Sequence, residues 1–171
     1  NSYFFENPSA GNWKVNFIAS QTQNNAPFFK MPIILKIQFT DNSDTLIHVM
    51  NDINYQEYSW SFQKQPSSFS FDPNNEIVLK KGTTVKGKLW TGTISDDWNV
   101  AGNWDPSGIP TSSDNVRVTG YTSRMPVIRN TGLICGSLGI ENGAQLTVSS
   151  GMNFTVSGKI SLEGTGKFVE K

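Results

Sequence analysis

Alternation with a period of two runs through nearly every hydrophobic stretch of this chain, and no stretch of about ten residues carries the 3.6-residue period of a helix. In NWKVNFIAS, Trp13, Val15 and Phe17 fall on one strand face. In MPIILKIQFT, Ile33, Leu35, Ile37 and Phe39 share a face while Lys36 and Gln38 point away. TLIHVMN follows, then EYSWSFQ with Tyr58, Trp60 and Phe62 on one side, then SFSFD and EIVLK. The breaks QNNAP, TDNSD, NDINYQ, KQPSS and DPNN are turn chemistry. An all-β fold follows, with an immunoglobulin-like β-sandwich of about six or seven strands expected over residues 1–82.

The pattern then changes. KKGTTVKGK is polar and has no apolar face, which places a linker at residues 83–88 and a second domain at 89–171. In the tail, LGI, LTV, FTV, ISL and KFV recur every six to eight residues, with glycine at nearly every corner. Short strands so evenly spaced suit a small β-solenoid or a compact β-meander. Pairs such as Leu146/Val148 and Phe154/Val156 are expected to form inward ladders.

Composition narrows the classes of partner. Hydrophobic residues make up 36% of the 171 and aromatics 12%, so the rings must carry much of any core. Fourteen Lys and Arg balance fourteen Asp and Glu, which argues against nucleic acid or an anionic membrane as partner. No apolar run of about 20 residues is present to form a membrane span. The chain opens at Asn1 with neither an initiator Met nor a signal peptide, and is read as a piece of something longer. Cys135, in GLICGSL, is expected to be a small buried hydrophobe.

The candidate site is KLWTGTISDDWNVAGNWDPSGIP, residues 88–110. One reading has Trp90, Trp98 and Trp104 folded over the open end of the second domain as packing. The other is a carbohydrate platform, with exposed indoles stacking on sugar rings and Asp97, Asn99 or Asp105 binding hydroxyls. Asp96, Asp97, Asp105 and Asp114 do not follow the spacing of a calcium loop. His48 alternates away from Ile47 and Val49 toward solvent, and one histidine with one distant cysteine does not make a zinc site. No nucleophile elbow, Walker loop or dinucleotide fingerprint occurs. Catalytic and metal residues are therefore expected to be absent, as are cofactors.

Two resemblances add to this reading. Gln21-Thr22-Gln23 lead through a variable loop to Phe29-Lys30-Met31-Pro32-Ile33, and FSFDPNNEIVLK places a D-P turn before a last strand. In order and spacing, residues 12–80 resemble the non-catalytic β-sandwich that follows the catalytic domain in M1-family (aminopeptidase N-like) zinc metallopeptidases. The resemblance implies a spacer and wall beside an upstream catalytic domain of the same chain, which would hold the zinc. The family's H-E-x-x-H helix, downstream glutamate ligand and G-x-M-E-N motif are absent here, so no active-site residue carries over. So is the helical pattern of the domain that follows the sandwich in many members, which puts exopeptidase character in question.

From Trp90 to about Thr155, W-T-G-x-x-x-x-D-W-x-x-x-x-N-W followed by a proline and a glycine-rich β tail resembles modules in large secreted or surface proteins of Bacteroidetes. Many of those are exported by type IX secretion, which implies a secreted or cell-surface location. The expected role is a non-catalytic structural spacer of a secreted M1-like zinc metallopeptidase. The alternatives are a module binding polysaccharide or the cell surface, and a secretion or interaction scaffold of an unrelated surface protein.

Overall fold

The computed structural model describes residues 1–23, 27–77 and 81–171. The chain divides into two compact units, Asn1–Lys86 and Gly87–Lys171. Both are all-β, in several small sheets; among the described residues the one helical segment is a 3-10 turn at Ala101–Asn103.

The first unit contains β1 (Ser2–Ser9), β2 (Asn12–Ala19), β3 (Met31–Phe39), β4 (Asp44–Asn51), β5 (Gln56–Phe62), β6 (Pro66–Phe71) and β7 (Val85–Lys86). They form two sheets, ordered β5-β2-β1-β7 and β4-β3-β6. All pairs are antiparallel except β1 with β7, which is parallel. Residues 83–88, read from the sequence as linker, thus include strand residues of the first unit. The inner faces of the two sheets meet: Val15 and Phe17 pack with Leu35, Ile37 and Phe39, all buried. Phe69 stacks on Tyr3 at 4.8 Å and on Phe17 at 5.1 Å between centroids. β1 breaks the alternating pattern because Phe4 and Phe5 are adjacent and both buried, at 1% and 9% exposure. A strand with both faces buried shows no period of two.

The D-P turn behaves as its residues require. Asn75 sits at φ 58° and Asp72 at φ 47°, left-handed values that Asn and Asp tolerate better than most residues. Of the final strand expected at EIVLK, residues 78–80 lie outside the described residues.

The second unit contains β8 (Lys88–Trp90), β9 (Trp104–Asp105), β10 (Val116–Val118), β11 (Val127–Ile128), β12 (Leu133–Cys135), β13 (Leu138–Ile140), β14 (Gln145–Val148), β15 (Phe154–Val156), β16 (Ile160–Leu162) and β17 (Lys167–Glu170). The sheet orders are β16-β13-β10-β8-β9, β11-β14-β17 and β12-β15. Apart from β8 with β9, every pair is parallel. Neighbours in the ladders are far apart in sequence: Val116 stands beside Leu138, and Leu138 beside Ile160. The strands that follow one another every six to eight residues in the tail are thus not the ones that pair; the parallel partners stand about 22 residues apart.

At the corners between these short strands, backbone bonds such as Gly158 N–H to the Gly136 carbonyl at 2.8 Å are supplemented by side chains. Asn115 Oδ1 accepts the Ser137 N–H at 3.0 Å, and Ser137 Oγ accepts the Lys159 N–H at 3.2 Å, each reaching 22 residues along the chain. Asn142 Oδ1 accepts both the N–H and the hydroxyl of Thr165, at 3.0 and 2.8 Å. At another corner the turns approach so closely that a Cβ on Gly120 would run into the Asn142 carbonyl oxygen. Inside, Leu138, Ile140, Leu146, Val148 and Cys135 are buried, with Phe154 and Val156 packed against them.

Candidate functional site

The tryptophan segment stands at the start of these ladders. Trp90 ends β8 and Trp104 opens β9, the two residues being register partners. Asp97 bridges Val127 in parallel, with the Trp98 N–H donating to the Val127 carbonyl at 3.1 Å. All three indoles turn inward: Trp90 and Trp98 are 0% exposed and Trp104 3%. Trp104 meets Trp90 edge to face at 4.9 Å and Trp98 at 4.6 Å, and Trp98 meets Phe154 at 4.9 Å. A sugar platform needs an indole face in solvent, and none of these three offers one. Burying each contributes at most roughly 4 to 6 kcal/mol by area.

Their polar edges are also engaged. Trp90 Nε1 donates to the Arg124 carbonyl at 2.7 Å, and Trp104 Nε1 to the Trp98 carbonyl at 3.0 Å. Trp98 Nε1 has no acceptor among the described residues and lies in the aromatic cluster. Gly92 is required beside Trp90. Its φ is +58°, and a Cβ there would lie 2.7 Å from the Arg124 carbonyl oxygen.

The residue that organises the segment is Asn103, to which the sequence reading gave no role. It is fully buried. Its Oδ1 accepts the N–H groups of Ile94 and Ser95, both at 2.9 Å. Its Nδ2 donates to Ser95 Oγ at 3.1 Å and to the Asp97 carbonyl at 2.8 Å. Every hydrogen-bonding position of the amide is thus used. Its own carbonyl accepts from the Thr91 N–H and hydroxyl, at 2.8 and 2.9 Å. An asparagine between glycine and tryptophan looks like ordinary turn chemistry, and its place directly before Trp104 in the W-T-G-x-x-x-x-D-W-x-x-x-x-N-W pattern was the one signal that could have marked it.

The aspartates have separate tasks. Asp96 makes a two-point pair with Arg129, at 2.9 and 2.8 Å, and the Arg129 hydrogen bonds hold its carboxyl below the usual range. Asp97 Oδ1 accepts the Asn99 N–H at 2.9 Å, Asp105 lies half-buried in β9, and Asp114 caps the Thr111 N–H at 2.8 Å. Among the described residues no three His, Cys, Asp or Glu side chains cluster closely enough to hold a metal ion. Cys135 is fully buried, and that burial pushes its thiol up to about 12, far from the thiolate a nucleophile needs. His48 is exposed on β4.

In the first unit the Q-T-Q element closes a loop. Gln21 Nε2 donates to the Phe29 carbonyl at 2.7 Å and its Oε1 accepts the Phe29 N–H at 3.0 Å, as a neighbouring strand would. Gln23 Nε2 donates to Gln21 Oε1 at 2.8 Å. Beside this network lies an open cavity of about 800 Å³ with Ala19, Ile33, Phe71 and Ile77 in its apolar wall and Asn51 at its polar side. Asp72 is 2% exposed and receives the Glu76 and Ile77 N–H groups and the Lys81 ammonium at 3.0 Å. Burial pushes its carboxyl up, but Lys81 and the two N–H donors outweigh that and hold it below the usual carboxylate value.

No curated protein and no solved structure matches this chain. Residues 89–170, nearly the whole of the second unit, match the family described as "Domain of unknown function (DUF8693)".

Proposed function

We propose that this chain is a non-catalytic structural region, a pair of β units that space and support a catalytic domain elsewhere in a longer, secreted protein resembling M1-family zinc metallopeptidases. In this reading the first unit is an immunoglobulin-like sandwich and the second a short β-solenoid. The observation that carries it is how the most suggestive side chains are employed. Trp90, Trp98, Trp104 and Asn103 are consumed in packing and backbone hydrogen bonds of the second unit. Gln21 and Asp72, which carry the family resemblance in the first, close a loop and a turn. Pro32, second in β3, sits where a missing N–H is best tolerated.

Two measurements test the proposal. The purified chain, with and without added zinc, should cleave no aminoacyl substrate; zinc-dependent cleavage would overturn its non-catalytic character. The parent reading frame upstream of Asn1 should encode an H-E-x-x-H helix with a glutamate about 20 residues later. A frame without those ligands retires the peptidase half of the proposal and leaves the scaffold.

A further inference from the structure

Residues 142 and 143 are the one Asn-Gly dipeptide of the chain. No other setting makes an asparagine so reactive, because glycine leaves its nitrogen unshielded beside the carboxamide. The Gly143 nitrogen can attack Asn142 Cγ. A C–N bond forms, the carboxamide nitrogen leaves as ammonia, and a cyclic succinimide remains. Water then adds to either ring carbonyl and opens it to aspartate or isoaspartate, with no oxidation or reduction. Asn142 and Gly143 are both exposed, so water is at hand.

The surrounding turns oppose this chemistry. Residues 141–144 form a turn closed by the Ala144 N–H donating to the Glu141 carbonyl at 3.0 Å. Gly143 has φ 79°, the value a type II turn needs at that position. A second turn, residues 163–166, lies against the first and is closed in the same way, Gly166 N–H to the Glu163 carbonyl at 2.9 Å. The Asn142 carboxamide rests over Gly164, where a Cβ would come within 2.6 Å of its Oδ1. Thr165 then holds both reacting groups. Its N–H and its hydroxyl donate to Asn142 Oδ1 at 3.0 and 2.8 Å, and its Oγ accepts the Gly143 N–H at 3.0 Å.

We propose that Asn142 is a latent deamidation site and that Thr165 guards it, so that the modification follows when the two turns part. To close the ring, Asn142 Oδ1 must swing off Thr165 and the Gly143 nitrogen must give up its proton and its acceptor. Three hydrogen bonds break before the new bond forms. The guard matters to the stacking of the second unit. Isoaspartate carries the backbone through an extra carbon, and it would do so where the Asn142 carbonyl already lies too close to Gly120 to admit a Cβ. A turn modified in this way no longer fits its place, and the opening that allowed it becomes irreversible.

Peptide mapping by mass spectrometry, on the full chain kept at mildly alkaline pH, reads aspartate and isoaspartate at position 142 directly. The same chain in urea gives the rate of the unguarded dipeptide. The folded chain should deamidate about tenfold more slowly than that, or slower still, as three bonds at exposed groups imply. T165V keeps the shape of the side chain and the backbone N–H but not the hydroxyl. It should deamidate about tenfold faster than wild type while the Ile140 amide keeps its protection from hydrogen exchange. T165S restores the hydroxyl and should restore the slow rate. A folded wild-type chain that deamidates as fast as it does in urea overturns the proposal, and that comparison stands even where T165V unfolds. So does a folded T165V no faster than wild type.

Discussion

The two units solve the same problem in different ways. In Asn1–Lys86, strands such as β3, nine residues long and paired on both sides, satisfy their own backbone, and the core is spread over many interleaved rings. In Gly87–Lys171 the strands are mostly two to four residues long, and side chains at the corners complete the hydrogen bonding. The bulkiest buried side chains there are three indoles gathered at one end of a core otherwise built mainly of small aliphatic residues. A single indole buries more area than any other side chain of that core. Single substitutions should therefore be most damaging in the tryptophan segment.

The largest effect is expected from Trp98→Ala. A fully buried tryptophan truncated to alanine costs roughly 3–5 kcal/mol. Hydrogen exchange should show the loss at the amides of Val118 and Ile140 while Leu35 keeps its protection. A loss below about 1 kcal/mol would mean that the indole does not hold this end of the unit. Asn103→Ala comes next, at about 3 kcal/mol, because the Ile94 and Ser95 N–H groups lose their acceptor together. Asn103→Asp keeps the acceptor but not the donors, and should recover part of that loss in a denaturant titration.

How much of this was legible follows from the same contrast. Where one face is buried, as in β3, alternation marked the strand and its inward residues, Ile33 to Phe39. β1 was hidden because Phe4 and Phe5 are both buried and leave no alternation to read. In the second unit the short strands LGI, LTV, FTV, ISL and KFV stood out, but their partners did not. Parallel pairing joins residues some 22 apart, and a period that long repeats only twice or so in a tail this short. The tryptophans were visible as a site, with packing and sugar binding both open, since residue type alone does not say which way an indole faces. Asn103 was invisible as a hub because its four bonds depend on how the loop closes.

A smaller effect belongs to the first unit. Asp72→Asn should cost about 2 kcal/mol, since a buried carboxylate there ties two N–H groups and the Lys81 ammonium. Its carboxyl is held below the ordinary value in the fold, so its stabilisation is present above about pH 4 and is lost as the pH falls below it. Thermal melts from pH 7 to pH 2 should show a shallower acid dependence in the variant. An unchanged slope would assign the acid sensitivity of the first unit to other carboxylates.

The smallest expected effect separates the second unit's buried determinants from its surface ones. Arg129 and Asp96 meet at two points, a geometry that in a dry site would be strong. Their side chains remain 45% and 44% exposed, so water and salt screen the attraction. Arg129→Ala should therefore cost only about 0.5 kcal/mol at low ionic strength and close to nothing in about 1 M NaCl. Asp96 is held below its ordinary range by Arg129, so what the pair contributes is present above about pH 4 and disappears as Asp96 takes up a proton. A loss as large as that of Asn103→Ala would mean that the Asp96 loop is clamped from outside, not from its buried amide. The contrast between the two units would then rest on surface charge as much as on packing.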